Sequence, residues 1–276
     1  MSASKNNENN FSDSLKRKKG RQKIVGHVDY YRSFFSENLQ NKRDILVWLP
    51  PTYDNDRVTK YPVLYMHDGQ NIMDPKTSSI GDDWRVDETA TRLIISGRLK
   101  EIIIVGINCT DNRLEEYSDS ETGRNYVKFL LEEVKPFIDK NYRTLPDAEN
   151  AALMGSSMGG LISFLIVWNH PDVFSKAACL SNSFHYEDQK AIKMVRDYSG
   201  EKKNIRLYLD HGEDGLEEGQ LMFAELTMKG YMLGQELDYF YDRGAEHNES
   251  AWADRLARPL TFLFGKDIPA ANDNNE

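Results

Sequence analysis

The 276-residue chain predicts an α/β protein, a mainly parallel eight-stranded sheet with helices on both faces. Three observations carry that expectation. Apolar strand-like runs alternate with helical patterns from residue 24 to 266, which implies crossovers over both faces of a parallel sheet. One run, Ile102 to Val105, is four consecutive β-branched residues, as suits a strand buried on both sides. A small-residue turn, Gly155-Ser156-Ser157-Met158-Gly159, joins another run to a helix. No internal repeat and no Gly/Pro/Ser linker interrupts the alternation, so residues 23–266 read as one domain.

Ile24 to Tyr31 and Arg43 to Leu49 open the sheet, and Pro50-Pro51 stops the second because proline donates no ladder hydrogen bond. Tyr61 to Met66 is a short apolar run that ends in His67-Asp68-Gly69. Val86 to Leu99 follows the polar start Asp82-Asp83 and reads as a helix, with Glu101 to Ile107 the next strand. Tyr126 to Ile138 has apolar residues at 126, 127, 130, 134, 137 and 138, close to the helical period. Ala151 to Met154 leads into the small-residue turn, and Gly160 to Asn169 continues it as a helix. Ala177 to Leu180, Ile205 to Leu209 and Glu236 to Tyr241 complete the strands, with Leu216 to Lys229 and Ser250 to Phe264 the last helices. Residues 108–124 and 181–204 read as polar loops.

Composition narrows the classes. The formal net charge is −9, the hydrophobic fraction 39% and the mean hydropathy −0.64. No apolar stretch approaches the roughly 20 residues of a membrane helix. No apolar segment follows a basic start at the N-terminus, so a cytoplasmic location is expected. Cys109 and Cys179 lie in or beside apolar runs without metal-site spacing and read as buried free thiols. Residues 1–23 hold seven basic and two acidic residues, which leaves −14 on the rest. The basic run Lys16 to Lys23 lacks interleaved aromatics and an amphipathic period. Residues 1–22 are therefore expected to be a disordered solubilising tail, binding neither nucleic acid nor membrane, and 267–276 a second flexible end.

The glycine-flanked serine carries the chemistry. A sharp strand-to-helix turn needs small neighbours and lifts the Ser157 hydroxyl above the sheet edge, at a helix N-terminus. A serine hydroxyl is a poor nucleophile at neutral pH and needs a base. His247 follows the last strand in Asp242-Arg243-Gly244-Ala245-Glu246-His247, the position that the order nucleophile, acid, base requires. His27, His67, His170, His185 and His211 are less well placed. The acid should follow the Ile205–Leu209 strand, where Asp210, Glu213, Asp214, Glu217 and Glu218 crowd together. Asp214 sits in the loop proper and is the first candidate; Glu217, at the helix start, is the alternative. An oxyanion hole needs two backbone N–H groups. Met158, after the nucleophile, is one source, and Gln70, in the loop His67-Asp68-Gly69-Gln70-Asn71, the other; Gly69 is expected to permit that turn.

These residues resemble the esterase family of the α/β-hydrolase superfamily, which includes enterochelin esterases, S-formylglutathione hydrolases, feruloyl and acetylxylan esterases and mycolyltransferases. The resemblance covers about residues 40–265. It rests on Tyr65-Met66-His67-Asp68-Gly69-Gln70-Asn71, Trp84-Arg85-Val86-Asp87-Glu88, Arg113 with Glu116-Tyr117, Gly155 to Gly160, Asp210-His211-Gly212 and Gly244 to Glu249. It implies an α/β-hydrolase fold, Ser157 and His247 as catalytic residues, and Gln70 and Met158 amides as oxyanion donors. It further suggests that Asn71, Trp84, Arg113 and Tyr117 border the pocket. It leaves Asp214 and Glu217 both open.

The expected activity is a serine carboxylic-ester hydrolase that passes through an acyl-enzyme, with no metal or organic cofactor and a small-molecule ester as its partner. Without a long apolar lid, short-chain acyl or aryl esters are the default. A trilactone siderophore esterase is the first alternative, which the charge of −14 disfavours for an anionic ligand. Acyl transfer is another, and a hydrolase fold kept as a non-catalytic binding module stands as the reading from a different class.

Overall fold

The β-branched runs form strands where their sequences place them. In this computed structural model, which describes residues 24–55 and 57–266, eight strands make one sheet: β1 (His27–Ser36), β2 (Asn41–Leu49), β3 (Val63–His67), β4 (Ile103–Ile107), β5 (Ala151–Ser156), β6 (Lys176–Leu180), β7 (Arg206–His211) and β8 (Leu237–Tyr241). The tails expected at 1–22 and 267–276 lie outside the described residues. The strand order is β1-β2-β4-β3-β5-β6-β7-β8, antiparallel at β1–β2 and β2–β4 and parallel from there on. With α/β crossovers, the carboxyl ends of β3, β5, β6, β7 and β8 all open on one edge, where ligands bind in such sheets.

Side chains alternate between two apolar layers. Val63 and Tyr65 of β3 face one layer with Phe129, Phe164 and Leu226, while Leu64 and Met66 face the other with Leu93, Trp252 and Leu260. The first layer is covered by α3 (Glu121–Lys128), α5 (Met158–Asn169), α6 (Tyr186–Asp197) and α7 (Leu216–Met228), the second by α1 (Val86–Ile95), α8 (Glu249–Arg255) and α9 (Ala257–Phe264). Helix α5 is buried along its whole length except Asn169, so it is apolar on all sides.

Prolines explain two departures from simple periodicity. The helix expected over 126–138 runs from Glu121 to Asn141, through α3 and α4 (Lys135–Asn141), but Phe129–Val134 between them are wound as a π-helix just before Pro136. Pro136 has no N–H, and its ring crowds the carbonyl four residues back. The helix expected over 250–264 breaks at Leu256, because Pro259 leaves the Arg255 carbonyl without its donor.

The polar segments contain more structure than their composition indicates. Within 108–124 lie α2 (Arg113–Glu116) and the start of α3; within 181–204 lies α6. In α6, Ala191, Ile192 and Val195 supply the buried stripe. Its first turn hides the period, because Glu187, Asp188 and Gln189 are all left-handed, with φ of 48°, 54° and 60°. Left-handed backbone costs a non-glycine residue roughly 1–2 kcal/mol.

One buried ion pair ties β2 to α2. Arg43 donates Nη1 to Glu116 at 3.0 Å and Nη2 at 2.7 Å, and both side chains are fully buried. Asn41 and Thr110 also donate to the Glu116 carboxylate. A buried pair is no guarantee of stability, but removing one partner strands the other charge away from water. We expect Glu116→Ala to lower the unfolding free energy by about 3–5 kcal/mol in urea titrations.

Candidate active site

Strand β5 ends at Ser156 and α5 begins at Met158, so Ser157 alone makes the turn. Its backbone has φ 56° and ψ −124°, a conformation that costs a non-glycine residue about 1–3 kcal/mol and that clusters at functional sites. Its N–H donates to the Leu180 carbonyl at 2.9 Å, and its carbonyl accepts from Gly160 and Leu161, which holds the strained residue in place. Gly155 is required by proximity: a Cβ there would lie 2.6 Å from the Gly159 carbonyl carbon and oxygen. The Ser157 side chain therefore projects beyond the sheet edge into a cavity of about 420 Å³, whose lining includes Met158, Ser183, His185, Tyr186, Asp214 and His247.

Two loops bring an imidazole and a carboxylate to that cavity. Glu213 accepts from the Gly244 N–H at 2.6 Å and from the Tyr241 hydroxyl at 2.9 Å, which binds the loop after β7 to the loop after β8. Gly244, at φ 78°, supplies the backbone turn. Within these loops His247 Nδ1 hydrogen-bonds Asp214 Oδ2. Glu217, by contrast, is exposed in the first turn of α7. The geometry brings Asp214, not Glu217, to the imidazole. The His247 ring meets Trp252 edge to face at 5.1 Å, so its orientation is set from two sides. In this conformation the Ser157 hydroxyl meets the Ser183 hydroxyl at 3.2 Å rather than the imidazole. The sequence carries no signal for Ser183 beyond its place just after the end of β6.

Met158 and Gln70 both occupy first-turn positions, where backbone N–H groups have no intrahelical acceptor. Gln70 lies in a 3₁₀ turn, Gly69–Asn71, directly after β3. The left-handed residue of this turn is Asp68, with φ 55°, not Gly69. Gly69 is needed instead for close approach, since a Cβ there would stand 2.6 Å from the Gly106 and Ile107 backbone of β4. The Gln70 side chain accepts from the Cys109 N–H and donates to its sulfur, both at 3.1 Å. That sulfur is partly buried, and burial pushes the thiol up to about 11, so it stays protonated at neutral pH. Cys179 is fully buried and free as well.

The four residues expected to border the pocket do not line the Ser157 cavity; they shape the loops behind it. Trp84 is buried against Trp252, at 5.4 Å between ring centroids, because it belongs to the second apolar layer. Tyr117 is fully buried and accepts from the Asp68 N–H at 3.2 Å. Arg113 forms a two-pronged ion pair with Asp68, Nε to Oδ1 at 2.7 Å and Nη2 to Oδ2 at 2.8 Å, and stacks over Tyr117. Desolvation opposes the Arg113 charge, but the hydrogen bonds and field of Asp68 outweigh it and hold the guanidinium above its usual value. Asn71 donates to Glu249 at 3.0 Å and accepts from the Ser79 N–H. That bond links the residue after Gln70 to the residue two beyond His247. Desolvation raises the Glu249 carboxyl above its ordinary range.

Two further buried groups support the floor. Arg255 Nη2 donates to Asp210 at 3.0 Å and to Ser181 at 2.8 Å, where the break at Leu256 has placed it. Burial raises the Asp210 carboxyl, partly offset by Arg255. His67 is fully enclosed at the end of β3, its Nδ1 2.8 Å from the Tyr126 hydroxyl, and burial depresses it from 6.5 to about 4. Between those two pH values the unfolded chain binds a proton that the folded chain refuses. The resulting stability is full above pH 6.5 and declines as pH falls towards 4. We expect wild type to lose about 2 kcal/mol more than His67→Gln between pH 7 and pH 5, measured by urea titration at each pH.

Comparisons with known proteins agree with this architecture. A family model described as "Putative esterase" matches residues 36–263. The chain is 25% identical over 256 residues to the protein YbbA of Bacillus subtilis, which covers 84% of this chain and 96% of that one. It is 31% identical over 184 residues to an endo-1,4-β-xylanase/feruloyl esterase of Xylanibacter ruminicola, spanning 62% of this chain but 24% of that longer protein. Among solved structures, a ferulic acid esterase superposes with a TM-score of 0.73 at 24% identity, covering 87% of this chain and 99% of that chain. An enterobactin esterase from Shigella flexneri superposes with a TM-score of 0.69 at 17% identity, covering 88% of this chain and 60% of that one. At these identities the structural likeness speaks to the α/β-hydrolase fold.

Proposed function

The chain belongs to this esterase family and is a carboxylic-ester hydrolase; from that premise we propose that it acts through an acyl-enzyme on Ser157. The observation that carries the reading is the His247–Asp214 hydrogen bond on the same cavity as the strained Ser157. Asp214 holds the imidazole with its proton on Nδ1, which leaves Nε2 as the base. In the reacting state the Ser157 hydroxyl exchanges its Ser183 partner for His247, which lines the same cavity. His247 takes the hydroxyl proton as Oγ bonds to the ester carbonyl carbon, and the Met158 and Gln70 amides receive the developing oxyanion. The tetrahedral intermediate collapses, the C–O bond to the alcohol breaks, and His247 returns the proton to the departing oxygen. Water, deprotonated by His247, then attacks the acyl carbonyl; the bond from the acyl carbon to Oγ breaks, His247 returns the proton to Ser157, and the acid departs. The side chains of His247 and Asp214 are 40% and 38% exposed, so bulk water has access to the base, which favours hydrolysis over transfer to another alcohol.

The cavity suits a small acyl or aryl ester. Its described lining offers His185, Tyr186 and serines but no lysine or arginine, which disfavours an anionic trilactone siderophore. Among the described residues no helix is long and apolar enough to cross a membrane.

Ser157→Ala is expected to reduce kcat on p-nitrophenyl acetate by at least about 10³-fold with an unchanged melting curve. Retained turnover, or failure of wild type to react with a fluorophosphonate, would sink the proposal. Asp214→Asn is expected to lower kcat by about 10²–10⁴-fold, whereas Glu217→Ala should stay within about twofold of wild type. The reverse ranking of the two variants would give the acid role to Glu217.

A further inference from the structure

The Ser157 cavity adjoins a second hollow across Tyr186, which lines both. This second space, about 190 Å³, is walled by Leu161 and Leu165, one turn apart on α5, and by Ala191 and Met194 on α6. A third space of about 420 Å³ shares Leu165 and Asp119 with the second and runs on against Ile162, Val127 and Leu131. The three follow one another along α5, beginning at its N-terminus beside Ser157. On the nucleophile's side the apolar track starts with Met158 and with Leu114, an exposed leucine 57% accessible on α2.

Charge is confined to the rim. Lys190 Nζ lies 2.9 Å from Asp119 and 3.2 Å from Glu187, and Arg124 is 3.7 Å from the other Asp119 oxygen. These ion pairs connect the segment before α3 to α6 above an apolar floor. The left-handed turn Glu187–Gln189 immediately follows Tyr186 and precedes the right-handed part of α6. Strain of this kind persists only where the surrounding structure holds it, and it sits here at the junction between the first and second hollows.

We propose that this succession of hollows is an acyl subsite: an unbranched acyl chain of medium length, esterified at Ser157, passes Tyr186 and lies along Leu161, Leu165 and Met194. The inference rests on the serine-esterase reading above and extends its acyl range upward. An elongated apolar space matches a flexible chain better than a single compact ring, and apolar hollows lined in this way gain from being filled by apolar groups. The polar rim gives the chain no partner beyond its own carbonyl, which remains at Met158 and Gln70.

The test compares p-nitrophenyl acetate, butyrate and octanoate on wild type, Met194→Trp, Tyr186→Ala and Ser157→Ala, with melting curves for each. Wild type is expected to favour octanoate over acetate in kcat/KM by about tenfold or more. Met194→Trp, which fills the second hollow, should lower that ratio at least about tenfold, and Tyr186→Ala, which removes the partition, should move the preferred length upward. An octanoate-to-acetate ratio within about twofold of wild type in the folded variants would overturn the subsite. Should Met194→Trp not fold, the Tyr186→Ala ratio alone decides. Turnover retained by Ser157→Ala points to failure of the serine reading itself, whereas Ser157-dependent turnover with an unmoved ratio rejects only the subsite.

Discussion

The turn between β5 and α5 is the constraint from which the site follows. The helix starts one residue after the strand stops, so only a backbone with positive φ at Ser157 can make the connection. Closure at that angle brings Gly155 and Gly159 so near that neither a side chain nor a looser turn fits between them. Two consequences are inseparable. The hydroxyl stands clear of the sheet, and it does so at the N-terminus of α5, whose first amides have no intrahelical acceptor. The strain is supported by burial on every side, because α5 is apolar all round and lies deep in the larger core.

Around this rigid centre, each loop that contributes a candidate group is held by a charged contact of its own. The Gln70 turn is gripped through Asp68 by Arg113, which rides on α2, which is in turn locked to β2 by Arg43 and Glu116. The segment after β6 is tied through Ser181 and Asp210 to Arg255. The His247 loop is bound to the acid loop through Glu213 and to the Gln70 turn through Asn71 and Glu249. The Glu213 tie is exposed. The Arg43–Glu116 and Arg255–Asp210 ties are buried, and buried polar networks are costly when incomplete and rigid when complete. They suit a site in which the donor of one loop and the base of another must meet a serine on a third.

On the proposed reading, recognition falls to surfaces that do not take part in these ties. The aromatic and cationic residues that the family resemblance offered as pocket borders, Trp84, Arg113 and Tyr117, are occupied in packing and in holding loops. The cavity at Ser157 is lined by serine, histidine, tyrosine, leucine and methionine side chains with Asn182 and Asp214, and is followed along α5 by apolar hollows. Specificity in such a site comes from shape and apolar contact more than from charge.

By itself, the sequence determined the fold class, the eight strands, the sharp turn at Ser157 and the loop from which each candidate group would come. Those features are local: β-branched runs make strands, glycines at fixed spacing make a sharp turn, and chain order at strand ends follows from a parallel sheet. Helix α6 was less legible, because three left-handed residues interrupt its first turn and Lys190 to Asp197 alone is a short stripe. Only the tertiary structure decided between Asp214 and Glu217 at the imidazole, since both follow the same strand and the difference is one of loop direction. It alone drew Trp84 and Tyr117 inward, turned Arg113 to Asp68, and set Ser183 beside Ser157. Such contacts join residues tens of positions apart, and no local spacing encodes which of several similar side chains will face the same few ångströms of space.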